Sequence, residues 1–168
     1  MAVSNIISTL EKLEKMHKSL LELANKKTQL IKANDMEQID GILKMEQAHV
    51  AAIETLEQQR QVMVTDYLQA KGIAFTGTPT VAQVIDAAEG PEKEVMQEVR
   101  ERLMALIADL KMQNDLNQKL VYQSLQFVNL TLDMLRPQPK QASAFNYSGA
   151  EVRGASTVGK KSYYDSQA

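Results

Sequence analysis

The chain predicts an all-α fold: a long antiparallel helical hairpin, a short helix and a long C-terminal helix in an elongated bundle, with a disordered tail. Three observations predict it. Apolar residues recur at steps of three and four over most of residues 4–136, the period of a helix with one buried face. The apolar mass is Leu, Ile, Val, Ala and 9 Met, with 5% aromatic residues and no Trp, a composition that packs helix on helix more readily than sheet on sheet. Gly72, Gly77 and Gly90 stand between the periodic stretches, as helix punctuation. A length of 168 residues suits one folded unit. Residues 1–139 are expected to form the helical domain and 140–168 a flexible tail.

The first helix is expected from about Ser4 to Ala33. Ile6, Leu10, Leu13, His17, Leu20, Ala24 and Ile31 follow a heptad-like spacing, broken by one polar gap at Lys27. Met16, Leu23 and Leu30 widen the stripe. Asn34 is expected to cap the second helix, with Glu37 three residues on in a capping box. The second stripe is Ile39, Ile42, Glu46, His49, Ile53, Leu56, Arg60, Met63 and Tyr67. The helix should end near Lys71, with Gly72 in the left-handed conformation that closes helices. So short a link between two long amphipathic helices points to an antiparallel hairpin.

Residues 73–78 read as a loop, with Phe75 as a plug over the end of the bundle. Thr78 is expected to cap a short helix with Pro79 in its first turn, completed by residues 80–89. Gly90-Pro91 opens the longest helix, which runs to about Arg136 before Pro137 and Pro139 stop it. Its seam is Val95 or Val99, then Leu103, Leu106 and Leu110, continuing through Gln113, Asn117, Leu120, Ser124 and Thr131.

The second half of this helix is apolar on too many sides. Leu116, Leu120, Phe127, Leu130 and Met134 mark one stripe; Val121, Leu125, Val128, Leu132 and Leu135 mark another. No charged residue lies from Leu120 to Leu132. A surface helix needs one apolar stripe to face its core. A second stripe needs a second cover, and the other helices are too few to supply it.

Several function classes are disfavoured. The net charge is -2, with no basic stripe and no basic patch interleaved with aromatics, so no nucleic acid is expected as partner. The absence of Cys removes thiolate ligands and nucleophiles and fits a reducing compartment. The N-terminus lacks the basic and apolar regions of a secretory signal, and no run approaches the ~18 apolar residues of a membrane span. The chain is therefore expected to be cytoplasmic, with no direct membrane insertion.

Glu14-x-x-His17 and Glu46-x-x-His49 each place a carboxylate and an imidazole one turn apart, which is half of a helical di-iron site. The hairpin would bring His17 level with His49. A last helix running alongside would bring Asn114, Asn117 and Gln118 to that level, and these are not the carboxylates such a site needs. Walker-type, G-x-G-x-x-G, G-x-S-x-G and H-E-x-x-H patterns are all missing. No enzyme, catalytic residue, cofactor or metal is expected.

The order of helices then carries a resemblance. The leucine-rich first helix, the Asn34-Asp35-Met36-Glu37 restart, the Glu/Leu/Arg run at 54–60, Asn114-x-x-Asn117-x-x-Leu120 and the close at Leu135-Arg136-Pro137 together resemble the FlgN-type flagellar export chaperones. The tail is similar to the family's tyrosine–glycine segment, but reads Tyr147-Ser148-Gly149, with a residue between the two. The resemblance spans about residues 4–150. It implies a cytoplasmic type III export chaperone that covers the disordered C-terminal helix of hook-associated (hook–filament junction) proteins. Such a chaperone prevents their premature assembly and delivers them to the flagellar export gate. On that reading Leu120, Val121, Leu125, Val128, Leu132 and Leu135 contact the partner helix, Asn117 and Ser124 set its register, and Tyr147 docks on the gate. The alternative is a coiled-coil adaptor that forms a homodimer through the last helix. A weak homodimer would also let a free chaperone shield that helix.

Overall fold

A computed structural model describes residues 2–135 as four helices: α1 (Ala2–Ala33), α2 (Met36–Ala70), α3 (Val81–Ala87) and α4 (Pro91–Leu135). The all-α class, the hairpin, the short helix and the long last helix are as the periodicity predicts. The expected stop of α4 at Pro137 and the tail over 140–168 lie outside the described residues.

The bounds differ where turn chemistry decides. The first helix begins at Ala2, ahead of Ser4. Asn34 does not cap α2. It closes α1, with φ +57°, and its N–H reaches Ile31 O at 3.1 Å while that of Asp35 reaches Leu30 O at 3.0 Å. This is the Schellman arrangement, and Asn is the residue that adopts φ > 0 at least cost after Gly. Asp35 is the cap of α2, its Oδ1 accepting from Gln38 N at 3.2 Å. The far end of α2 repeats the device as expected: Gly72 has φ +69°, and Ile73 N donates to Leu68 O at 2.9 Å.

The short helix starts later than expected. Thr80, not Thr78, is its N-cap, and Gln83 Oε1 accepts from Thr80 N at 3.0 Å, as an N3 side chain does in a capping box. Pro79 therefore precedes the helix.

α1 is the central helix. Every residue of its expected stripe, from Ile6 to Ile31, is buried, and it packs against both α2 and α4. Cross-contacts fix the directions. Thr9 meets Met63 and Ser19 meets His49, so α2 runs antiparallel to α1. Glu14 meets Arg102 and Thr28 meets Gln113 and Asn117, so α4 runs parallel to α1. α3 lies between α2 and α4, with Val81, Val84 and Ile85 buried, and fills the fourth corner of the bundle at that end. Phe75 packs half-buried against the same core, in the plug position expected of it. Among the described residues no helix is long and apolar enough to cross a membrane.

Candidate partner-binding groove

The register of α4 on α1 creates the site. The contacts from Glu14 to Arg102 and from Thr28 to Asn117 span 88 and 89 positions. An offset of 88 carries the end of α1 at Ala33 to Val121 on α4. Residues 122–135 therefore continue past the hairpin for roughly 20 Å at 1.5 Å per residue. The buried positions of α4 are Met96, Val99, Leu103, Leu110 and Asn117, and burial stops there.

Asn117 holds the last buried layer. It is 3% exposed. Its Nδ2 donates to Ala24 O at 2.9 Å, its Oδ1 accepts from the Thr28 hydroxyl, and Gln113 donates to the same hydroxyl. A polar residue at a seam position costs stability and fixes register. Here the register it fixes is that of α4 on α1. Asn117 also lines the groove described next, so the expectation that it sets the register of a bound partner stands beside this internal role as a proposal.

At the open end none of the described residues takes the corner that α3 fills at the other. A groove of about 1110 Å³ lies there, between the start of α2 and the second half of α4. Ile31 and Lys27 of α1 form its floor; Met36, Ile39 and Leu43 line one wall; Val121, Leu125 and Val128 line the other. The inner end is polar, with Lys27 and Glu46 paired at 3.0 Å and both mostly buried. The sequence reading placed the whole apolar surface on α4 and missed the α2 wall. Its signal was present: Met36 and Leu43 are apolar but off the stripe that α2 turns to α1, and both are exposed.

The expected contact residues divide by position. Val121, Ser124, Leu125 and Val128 line the groove. Leu132 and Leu135 continue the same stripe on the overhang, exposed. Leu120 is half-buried and belongs to the neighbouring stripe. Ser124 Oγ donates to Leu120 O at 2.9 Å, within its own helix. The other stripe, with Phe127, Leu130 and Met134 at 69%, 56% and 80% exposure, faces away from the groove. Tyr147 lies outside the described residues.

The two Glu-x-x-His pairs are engaged elsewhere. Glu14 takes Arg102 at 2.9 Å, and Glu46 takes Lys27. His17 is buried and its Nδ1 donates to Leu13 O at 2.8 Å; burial lowers its pKa below the usual histidine value, against the raising effects of that hydrogen bond and of Glu57. His49 donates from Nδ1 to Met45 O and accepts from Ser19 at Nε2, both at 2.8 Å. The α4 residues level with His17 lie near residue 105 by the 88-position offset, not at Asn114–Gln118 as expected from sequence. Among the described residues no three His, Asp or Glu side chains come together as a metal site would need.

A sequence model of the family described as FlgN protein matches residues 1–152. The chain is 30% identical over 168 residues to the "Uncharacterized protein YvyG" of Bacillus subtilis (strain 168), covering 100% of both chains. No solved structure matches it.

Proposed function

The chain belongs to the FlgN family, and on that premise we propose that it is a flagellar export chaperone whose open groove holds the C-terminal helix of a hook-associated protein. The observation that carries the proposal is the corner between α2 and α4 that none of the described residues fills, walled on both sides by exposed apolar stripes. An amphipathic helix laid there would complete a four-helix arrangement, the helix-in-groove mode of recognition. Each leucine it buries gains about 1.5–3 kcal/mol, against about 2–5 kcal/mol for ordering a disordered segment. Several such contacts give micromolar to nanomolar binding.

Covering that helix in the cytoplasm keeps the junction protein from assembling early, and the loaded chaperone then meets the export gate. Tyr147 is the residue assigned to gate docking. Removing residues 141–168 should leave partner binding in place and stop export; undiminished export by the shortened chain would contradict that assignment.

The binding step is tested by isothermal titration with the C-terminal helical segment of a hook-associated protein at two temperatures. One-to-one binding with a negative heat-capacity change, the mark of apolar burial, is the expected result. No heat at either temperature and no shift on a native gel would overturn it.

A second reading, a homodimeric adaptor joined through α4, is favoured by the opposite stripe of Phe127, Leu130 and Met134. Light scattering after size exclusion separates the two. A concentration-independent dimer supports the adaptor, and a monomer supports the chaperone.

A further inference from the structure

The groove is attached to a candidate occupant of its own. We propose that in the unloaded protein the segment around Phe145 and Tyr147 folds back from the end of α4 and lies in the groove against Val121, Leu125 and Val128, as an intramolecular shield that a partner helix displaces. This inference rests on the groove reading given above.

The length of chain beyond the described residues, and where it starts, carries the argument. The described part of α4 runs to Leu135, at the tip of the overhang, and 33 residues follow it in the sequence. From that tip back to Val121 is 14 helical residues, roughly 20 Å at 1.5 Å each. Phe145 is ten residues beyond Leu135, and ten residues of chain span up to about 33–36 Å. The tether therefore reaches the whole apolar part of the groove with slack for the reversal. Tyr163 and Tyr164 could also reach, but the loop they close is nearly three times longer and entropically less favoured.

The chemistry matches. From Gln138 to Ala150 the only large apolar side chains are Phe145 and Tyr147, two residues apart, so an extended segment would anchor through two rings. The groove lip offers them Met36, a thioether 67% exposed, as an aromatic contact. Two rings on a short tether give a high effective concentration with few contacts. Such an occupant covers apolar surface yet yields to a helix that brings more anchors.

The test uses the full chain. The sequence has no Cys, so Ser148→Cys accepts a single nitroxide label, and methyl NMR reads which groups it approaches. The expected result is broadening of the Val121, Leu125 and Val128 methyl signals, with Leu68 and Val84 at the α3 end sharp. Combining the label with Phe145→Asp and Tyr147→Asp should restore the groove signals. Broadening confined to Leu132 and Leu135, broadening that survives the double substitution, or broadening that appears only between a labelled chain and a separate isotope-enriched chain would each overturn the shield. Titration of the junction-protein helix is a separate readout. The Phe145→Asp, Tyr147→Asp chain should bind it several-fold more tightly, because the competent fraction of the groove rises. Broadening without any binding of that helix would keep the shield and reject the chaperone reading; binding without groove broadening would do the reverse.

Discussion

Asn117 on α4 and Thr28 on α1, 89 positions apart, share a hydrogen bond inside the last buried layer of the bundle. Below that layer α4 is seated on α1; above it α4 stands clear and turns its second apolar stripe to the groove. The layer therefore decides where the fold ends and the partner surface begins.

Asn117→Ala should lower stability by about 1–3 kcal/mol, the cost of leaving buried polar groups without their partner. Urea unfolding followed by circular dichroism measures it. A change under about 0.5 kcal/mol would mean that the layer does not hold α4.

The overhang should open far more readily than the seated part of the same helix. Residues 122–135 bury almost nothing, and helices this short are marginal in water without tertiary contacts. Hydrogen exchange read by mass spectrometry should show fast exchange over 122–135 and slow exchange over 96–117. Adding the junction-protein helix should slow the first region. Equal protection along all of α4 in the free protein would contradict the account.

His17 gives the fold a pH dependence of known sign. Its folded pKa lies below the unfolded value of about 6.5, because burial disfavours the imidazolium. The unfolded chain then binds more protons as pH falls below about 6.5, so this contribution to stability is full above that value and is lost on acidification through the folded pKa. His17→Gln should flatten the difference between urea midpoints at pH 7.5 and 5.5. An unchanged pH slope would reject His17 as its source.

Arg60 is 2% exposed and holds Glu57 at 2.7 Å within α2. Glu57→Ala should destabilise by about 1–3 kcal/mol by stranding a buried guanidinium, whereas Arg60→Met should be near neutral. Thermal unfolding of the two variants tests the asymmetry, and equal losses would contradict it.

The sequence made the helices legible because each carries its period within itself. Ile6 to Ile31 on α1 and the left-handed close at Gly72 needed no knowledge of neighbours. The misses depended on choices between adjacent candidates or between helices. Asn34 and Asp35 are both good caps, and only the φ > 0 close of α1 separates their roles. Thr78 and Thr80 differ by which one Gln83 reaches. The direction of α4 relative to α1 cannot be read from a stripe, so the level of His17 on α4 and the internal role of Asn117 were hidden. The α2 wall was visible only as Met36 and Leu43 lying off their own core stripe.

The most direct test of the groove compares two single substitutions on one helix. Val128 lines the groove, and Leu130, about 200° around at 100° per residue, faces away; they are 51% and 56% exposed, so neither is needed for the core. Titration with the junction-protein helix should show Val128→Asp weakening binding by about a hundredfold or more, close to 3 kcal/mol, with Leu130→Asp within about threefold of the unchanged chain and helicity intact in both. Equal losses in the two variants, or the larger loss in Leu130→Asp, would contradict the groove as the seat of the partner helix.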